Sequence, residues 1–359
     1  MNILIASHQG GMAGSTYSIS FLARGLANKG HHVIVAGTAG SLLFELLEHS
    51  AVQLVDLPYR SKVDLKTVRA IRDLVIAHDI QIINAQSSRD RYLTIFAKRY
   101  YRLDAKLIHT RRQRPLSVGG WLHNKFYEKG TDKIVVISDE LRRIFIRHGF
   151  PESHLHVIYN GTPRSQYQVD EAQVETLRKR LGLAPDDAVI GCVARRKRQD
   201  QLIEALKYLD SSLKVLFVGI EPGSLDELVT KHQVENDIIY AGRLGHAETL
   251  ASFRLMNVNV LPSDMDGFGL VLVEAMAMGT PVVGTNFGGI KNVIKDGVNG
   301  FLYENGNAQA LANKIKQVLD DQSLRERFIK EGTKTAFDEY SIEKTVDEYE
   351  AFFQRLIDV

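Results

Sequence analysis

Pro262-Ser263-Asp264-Met265-Asp266-Gly267-Phe268-Gly269-Leu270-Val271-Leu272-Val273-Glu274-Ala275 decides how this chain is read. It sets one carboxylate just before a glycine turn and a second one turn into an expected helix. Gly267 and Gly269 lack a Cβ, so the backbone there can come close to a ligand. A helix beginning near Leu270 aims unpaired N–H groups and a positive dipole end at that ligand. This is an anion site, most naturally one for phosphate. Asp266 and Glu274 flank it, and carboxylates beside a phosphate are unfavourable unless they bind hydroxyls. Phosphate and hydroxyls together are what a sugar nucleotide presents. Two other readings stay open at this level. The carboxylates could form a general acid/base pair of a hydrolase, or Glu274 could only complement its helix N-terminus. Asp264-x-Asp266 has metal-binding spacing, but no His/Cys cluster accompanies it, and a phosphate held by cations and a helix end needs no metal. None is expected.

Outward from this stretch, apolar β-rich runs alternate with helical patterns. The expected strands of the first half are Ile3–Ala6, His32–Ala36, Val52–Val55, Ile80–Asn84, Lys106–His109, Lys133–Ile137 and His156–Tyr159. Those of the second half are Val189–Val193, Lys214–Val218, Ile238–Tyr240, Asn259–Leu261 and Pro281–Val283. Helical patterns lie between them, and this alternation predicts parallel sheets covered by helices on both faces. Asn160-Gly161-Thr162-Pro163 is turn chemistry, and the domain boundary is placed at about residue 165. The expected fold is α/β, with two doubly wound Rossmann-like domains facing across a cleft. Domain one covers residues 1–165 and domain two residues 166–340. The amphipathic tail, residues 341–359, has Val346, Tyr349, Phe352, Phe353 and Leu356 at near-helical spacing and is expected to pack back on domain one. Ligands of such domains bind at the carboxyl ends of the strands.

Composition narrows the class. A chain of 359 residues suggests two domains of ordinary size. Hydrophobic residues make up 44% and charged residues 25%, a soluble globular balance. No apolar run is long enough for a membrane span, and the start of the chain reads as a strand, so no secretory leader is expected. The single Cys192 sits in an apolar strand-like run, which suits a reducing compartment and an inert structural role. The net charge of +2 conceals an asymmetry: residues 1–165 carry 23 Lys and Arg against 13 Asp and Glu, and the remainder is acidic. A basic first half calls for an anionic partner, whether nucleic acid, phospholipid or a phosphorylated acceptor. On an expected helix from Asp90 to Arg102, residues Arg91, Lys98 and Arg102 fall near one stripe interleaved with Phe96, Tyr100 and Tyr101, a face suited to anionic phospholipid.

Further candidates sit at strand ends. Gly10 and Gly11 follow the first strand and open the next helix, a second phosphate-approach turn. Their spacing is not the dinucleotide fingerprint, and the second strand ends without the acid that fingerprint requires, which disfavours a dehydrogenase. Arg195-Arg196-Lys197-Arg198 follows the first strand of the second half, and Arg195 and Lys197 are placed to neutralise a diphosphate leaving group. His109 ends a strand and precedes Arg111, Arg112 and Arg114. Ser87-Ser88-Arg89-Asp90 follows another strand end and is expected to line the same crevice.

These blocks together resemble a family. Asp266 through Glu274 resembles the E-x7-E motif of retaining glycosyltransferases with the GT-B fold, in the large family 4 group. Gly10-Gly11 with Leu22 through Val33 is similar to its amino-terminal loop, helix and second strand. Val157-Ile158-Tyr159-Asn160-Gly161 looks like its hinge. Ala194-Arg195, Lys197 and Leu202-Ile203-Glu204-Ala205 look like its phosphate-binding block. Gly279 through Val283, Gly288-Gly289 and Asp296 through Gly300 are similar to its carboxyl-terminal signature.

The resemblance implies a retaining glycosyltransferase of the hexosyltransferase type. Arg195 and Lys197 would bind the donor diphosphate and Glu274 the ribose hydroxyls. Asp266 would face the transferred sugar, and the backbone of Gly267, Phe268, Gly269, Leu270 and Val271 would hold sugar and phosphate. Gly10 and Gly11 would lie under the diphosphate, Arg243 and Leu244 at the nucleobase, and His109 at the sugar. Two features depart from the pattern: Asp266 replaces the usual Glu, and the segment between Arg195 and Lys197 is short. The expected partners are a nucleotide sugar and a glycan or lipid-linked acceptor such as a lipopolysaccharide precursor, with no nucleic acid and no cofactor. The expected location is cytoplasmic, peripheral on the inner face of the cytoplasmic membrane. The competing readings are a GT-B sugar-nucleotide epimerase and a catalytically inactive sugar-nucleotide-binding subunit.

Overall fold

A computed structural model describes residues 1–112, 120–264 and 268–358. The chain divides into two compact units, Met1–Pro163 with Ser341–Val359, and Arg164–Tyr340. Each unit is built on a parallel sheet.

In the first unit the described strands are β1 (Asn2–Ala6), β2 (His32–Gly37), β3 (Gln53–Asp56), β4 (Ile82–Ala85), β5 (Lys106–Arg111), β6 (Lys133–Val136) and β7 (Leu155–Val157), in the order β3-β2-β1-β4-β5-β6-β7. In the second they are β8 (Val189–Val193), β9 (Lys214–Val218), β10 (Ile238–Gly242), β11 (Val258–Leu261), β12 (Val282–Thr285) and β13 (Phe301–Tyr303), in the order β10-β9-β8-β11-β12-β13. The central strands are covered on both faces, which is why Ile3, Leu4, Ile5 and Ala6 form an unbroken apolar run with no exposed surface. In each sheet the strand order reverses once, between β1 and β4 and between β8 and β11. That reversal opens a crevice at the carboxyl ends of the two strands.

Helix starts follow local chemistry. Asp64 accepts from the backbone N–H groups of Lys66 and Thr67 at the start of Leu65–Ala77, and Asn307 accepts from Ala310 N at the start of Ala308–Asp320. The last helix, Ile342–Ile357, seats Val346, Tyr349, Phe352 and Phe353 in the core of the first unit. Two glycines make this possible. A Cβ on Gly25 would lie 2.3 Å from Val346 Cγ2, and one on Gly161 would lie 2.0 Å from the Ser341 carbonyl oxygen. Thr345 Oγ1 then donates to the Tyr159 carbonyl at 2.9 Å.

Two expectations are corrected. The second sheet continues beyond Pro281–Val283 into β13, whose three residues are too short to show a period and are held by pairing with β12. The cationic stripe Arg91–Lys98–Arg102 does not form. The helix runs from Ser88 to Tyr101, and its inward turn takes the Arg91 guanidinium down to the Gln86 carbonyl at 2.9 Å. Lys98 pairs with Asp132, so Arg102 alone of the three stays exposed.

Candidate functional site

The second unit brings its two informative segments together at the β8/β11 reversal. The loop after β8 is fixed by buried Gln199, which accepts from Lys197 N at 2.7 Å and donates to the Arg195 carbonyl at 2.9 Å. Arg198 is committed to structure. Its guanidinium pairs with Asp200 at 3.0 Å and Asp264 at 3.3 Å, and its N–H donates to the Pro262 carbonyl at 3.2 Å. This ties the β8 loop to the β11 loop. Arg196 donates to the Ser224 carbonyl at 2.6 Å. Lys197 is half-buried, and Arg195 is exposed with no ion pair among the described residues. Arg195 and Arg196 are both exposed, and of these two Arg195 is the one whose side chain has no bond among the described residues.

After β11 the chain turns into the helix Leu270–Ala277. Phe268 is buried edge-on against Tyr340 at 5.1 Å between ring centres. That anchor fixes the turn, and Gly269 follows it at φ 87°, a left-handed conformation that glycine adopts without strain. Its N-cap, Gly269, has no side chain to cap it, and the first N–H groups of an α-helix have no partner within the helix. Leu270 and Val271 are half-buried at its start. Asp266 and Gly267, which carried part of the sequence reading, lie outside the described residues.

Glu274 stands one turn further along the same helix. It has no hydrogen bond or ion pair among the described residues, and burial pushes its carboxyl group up to about 7. An unpartnered carboxyl group held in protein surroundings is costly. It lies one turn from the helix start that Gly269 precedes. Arg243 and Leu244 follow β10, two strands from β8 and so roughly 10 Å away across the sheet. Arg243 is 86% exposed, with its Nε 4.0 Å from Glu221, and Leu244 is half-buried.

The first unit has its own reversal, between β1 and β4. Gly10 is buried, and a Cβ there would come within 2.5 Å of Ser41; Gly11 faces open space. The helix Gly14–Asn28 that follows has no side-chain cap either. At the end of β4, Asp90 is fully buried and accepts from Gln86 N and Ser87 N, each at 2.8 Å, while His8 Nδ1 lies 3.0 Å from it. Burial alone would raise this carboxyl group. Hydrogen bonds from His8 and Ser87, with Arg91 nearby, outweigh burial and hold it below the usual carboxylate range. The sequence analysis placed Ser87–Asp90 at the crevice but missed its bond to His8. The available signal was the capping-box spacing Ser87-x-x-Asp90 directly after a strand.

His109 lies within β5. It has no exposed surface, and its ring packs edge-on against Tyr127 at 5.6 Å. Neither ring nitrogen has a hydrogen-bond partner. Burial, then the charges of Arg91 and Arg111, pull its basicity well below the usual histidine range. Its ring thus lies beside the helix Trp121–Gly130, which carries Tyr127.

Two Rossmann-like parallel sheets, each with an uncapped helix at its reversal, define the GT-B class. Residues 12–166 match the model for Glycosyltransferase Family 4, and residues 173–335 match that for Glycosyl transferases group 1. The chain belongs to this family, the GT-B glycosyltransferases of the family 4 type. It is 29% identical over 252 residues to the N-acetyl-alpha-D-glucosaminyl L-malate synthase of Bacillus anthracis, covering 62% of this chain and 65% of that protein. It is 28% identical over 238 residues to the capsular polysaccharide biosynthesis glycosyltransferase CapM of Staphylococcus aureus, covering 62% of each. The chain thus spans less than two thirds of the length of these curated relatives. Among solved structures, HepE of Anabaena in complex with UDP superposes with a TM-score of 0.82 at 21% identity, over 99% of this chain and 100% of that one, which shows the fold.

Proposed function

We propose that this chain transfers a sugar from a nucleoside diphosphate donor to an acceptor with retention of anomeric configuration. One observation carries the reading: Glu274 stands unpartnered at an uncapped helix start whose sheet reversal also presents Arg195. In this reading the second unit binds the donor. Glu274 takes the ribose hydroxyls. Arg195, Lys197 and the N–H groups of Leu270 and Val271 hold the diphosphate, with Asp266 at the sugar and Arg243 and Leu244 toward the base. The bond from the anomeric carbon to phosphate oxygen breaks, and its electron pair leaves with the diphosphate. The acceptor oxygen forms the new bond on the same face, and its proton passes to the departing diphosphate. Cations and a helix end stabilise that leaving charge, so the reading requires no metal or cofactor. That HepE was solved with UDP supports a nucleoside diphosphate ligand.

The first unit is the proposed acceptor side. A cell-surface glycan or its lipid-linked precursor is favoured by the likeness to CapM. A position on the inner face of the cytoplasmic membrane is supported by a groove of about 470 Å³ between Leu65, Val68, Phe96 and Phe126, edged by Arg69 and Arg99. Leu65, Tyr100, Trp121 and Leu122 are exposed on the same helices, and no described helix is long and apolar enough to cross a membrane. Apolar side chains among arginines suit an anionic lipid surface.

The test is a thermal-shift screen of nucleoside diphosphate sugars followed by product analysis. A donor that raises the melting temperature in the wild type and not in Glu274→Gln, and whose sugar moves only when an acceptor is added, supports the reading. Conversion of donor without acceptor indicates an epimerase, and binding without turnover an inactive subunit.

A further inference from the structure

The carboxyl ends of β4 and β5 gather more positive charge than the fold needs. Arg91 Nη2 donates to the Gln86 carbonyl at 2.9 Å, and Arg112 Nη1 donates to the Gln86 side-chain oxygen, so two guanidinium groups meet on one residue. Arg111 lies beside them, over the rings of Phe145 at 5.0 Å and Tyr127 at 6.0 Å. None of the three forms an ion pair among the described residues. Asp90, whose charge favours the Arg91 cation, is already engaged by Gln86 N, Ser87 N, Ser87 Oγ and His8. Three buried donors in this cluster have no acceptor: Arg91 Nε, Arg112 Nε and Gln86 Nε2. Burial weakens the hold of all three groups on their protons, and the charge of Arg91 adds to this at Arg112 and at Arg111, which is lowered to about 9, while Asp90 opposes it at Arg91. Each arginine nonetheless keeps part of its surface open.

A protein interior does not collect like charges and unpaired donors without cost. Each unsatisfied donor is destabilising, and an unpaired buried cation more so. An anion relieves both penalties at once. A carboxylate offers two oxygens; a phosphoryl group offers more acceptor sites and up to two charges, a closer match to three guanidinium groups and an amide. We propose that Arg91, Arg111, Arg112 and Gln86 form a phosphoryl-binding site in the first unit, and that the acceptor carries the phosphoryl group. The site is built entirely from residues of the first unit. The inference deepens the proposed acceptor role of the first unit and rests on that role only for the carrier of the phosphate.

The experiment is titration of the full chain with inorganic phosphate against chloride at matched ionic strength, read by calorimetry and thermal shift. The wild type is compared with Arg91→Gln, Arg111→Gln, Arg112→Gln, Arg112→Lys and Arg195→Gln. The expected result is phosphate affinity at least tenfold weaker in the three first-unit glutamine variants, largely kept in Arg112→Lys, with a component that survives Arg195→Gln. The ligand-free glutamine variants should melt at or above the wild type, because repulsion is relieved; a purely structural role would lower them. Phosphate binding unchanged in all three, or lost only in Arg195→Gln, overturns the site. Two further arms separate the carriers, a soluble sugar 1-phosphate and vesicles containing phosphatidic acid; binding in either that disappears in Arg111→Gln supports the site, and binding in both that ignores all three glutamine variants counts against it. UDP binding is measured in parallel, so that failure of the donor reading is told apart from failure of this one.

Discussion

The two sheet reversals use the same backbone device and hold opposite charges in reserve. At the β8/β11 reversal the group without a partner among the described residues is an acid, Glu274, with the exposed Arg195 on the loop after β8. Around β4 and β5 the incompletely bonded groups are cations, Arg91 and Arg112, each with an Nε that has no acceptor among the described residues, with Arg111 beside them, and the local acid, Asp90, accepts bonds from Gln86, Ser87 and His8. An unpartnered acid beside free N–H groups suits a ligand with both hydroxyls and phosphate. Unpartnered cations without such an acid suit an anion alone. The difference teaches that two similar Rossmann-like units in one chain can be assigned different ligands by asking which buried groups are left unpaired.

The largest expected effect breaks the comparison at its acid. Glu274→Gln keeps the shape and removes the charge, and transfer should fall by about 100-fold or more, the scale of losing one aligned electrostatic partner; steady-state kinetics with a saturating donor checks it. Arg195→Gln should follow at roughly 10- to 100-fold, since it removes a charge-assisted bond to the leaving diphosphate. Its loss should appear in kcat more than in KM, because that charge grows as the bond breaks.

The same acid predicts a stability change of opposite sign. Burial raises the folded-state carboxyl group of Glu274 to about 7, against the ordinary 4.5 of the unfolded chain. The folded chain therefore binds more protons between these values, and wild-type stability falls as pH rises through that window. Glu274→Gln should melt a few degrees above the wild type at pH 8 and alongside it below pH 4.5, as thermal unfolding across pH would show. A variant that is more stable and less active marks a group kept for a ligand. The smallest effect belongs to Arg198. Its partners Asp200 and Asp264 are partly exposed, so Arg198→Gln should cost about 1 kcal/mol or less. Donor affinity should shift only slightly, through loosening of the two loops.

Much of this was legible in the chain. Apolar runs such as Val189–Val193 and Lys214–Val218 gave the parallel sheets directly, because strands covered on both faces carry an unbroken apolar signal. β13 was not legible, since three residues have no period. The glycine turn and the following helix start near Leu270 could be read from residue type alone. What sequence could not supply was pairing. The four cations Arg195–Arg198 look alike in a row, and only tertiary contacts show Arg198 bound to two acids and Arg195 facing outward. The burial of His109 was not legible either, because it depends on which helix covers that face of β5, here the one bearing Tyr127. The cationic stripe on Ser88–Tyr101 failed for the same reason: helical spacing gives a face, not its neighbour, and Gln86 and Asp132 claim Arg91 and Lys98.

The most direct measurement is a crystal structure of the wild-type chain grown with a nucleoside diphosphate sugar found in the screen. The account predicts ribose hydroxyls on the Glu274 carboxylate and diphosphate oxygens within about 3 Å of the Leu270 and Val271 N–H groups, with Arg195 folded onto the diphosphate. A nucleotide bound elsewhere, or bound there with Glu274 still unpartnered, would contradict it.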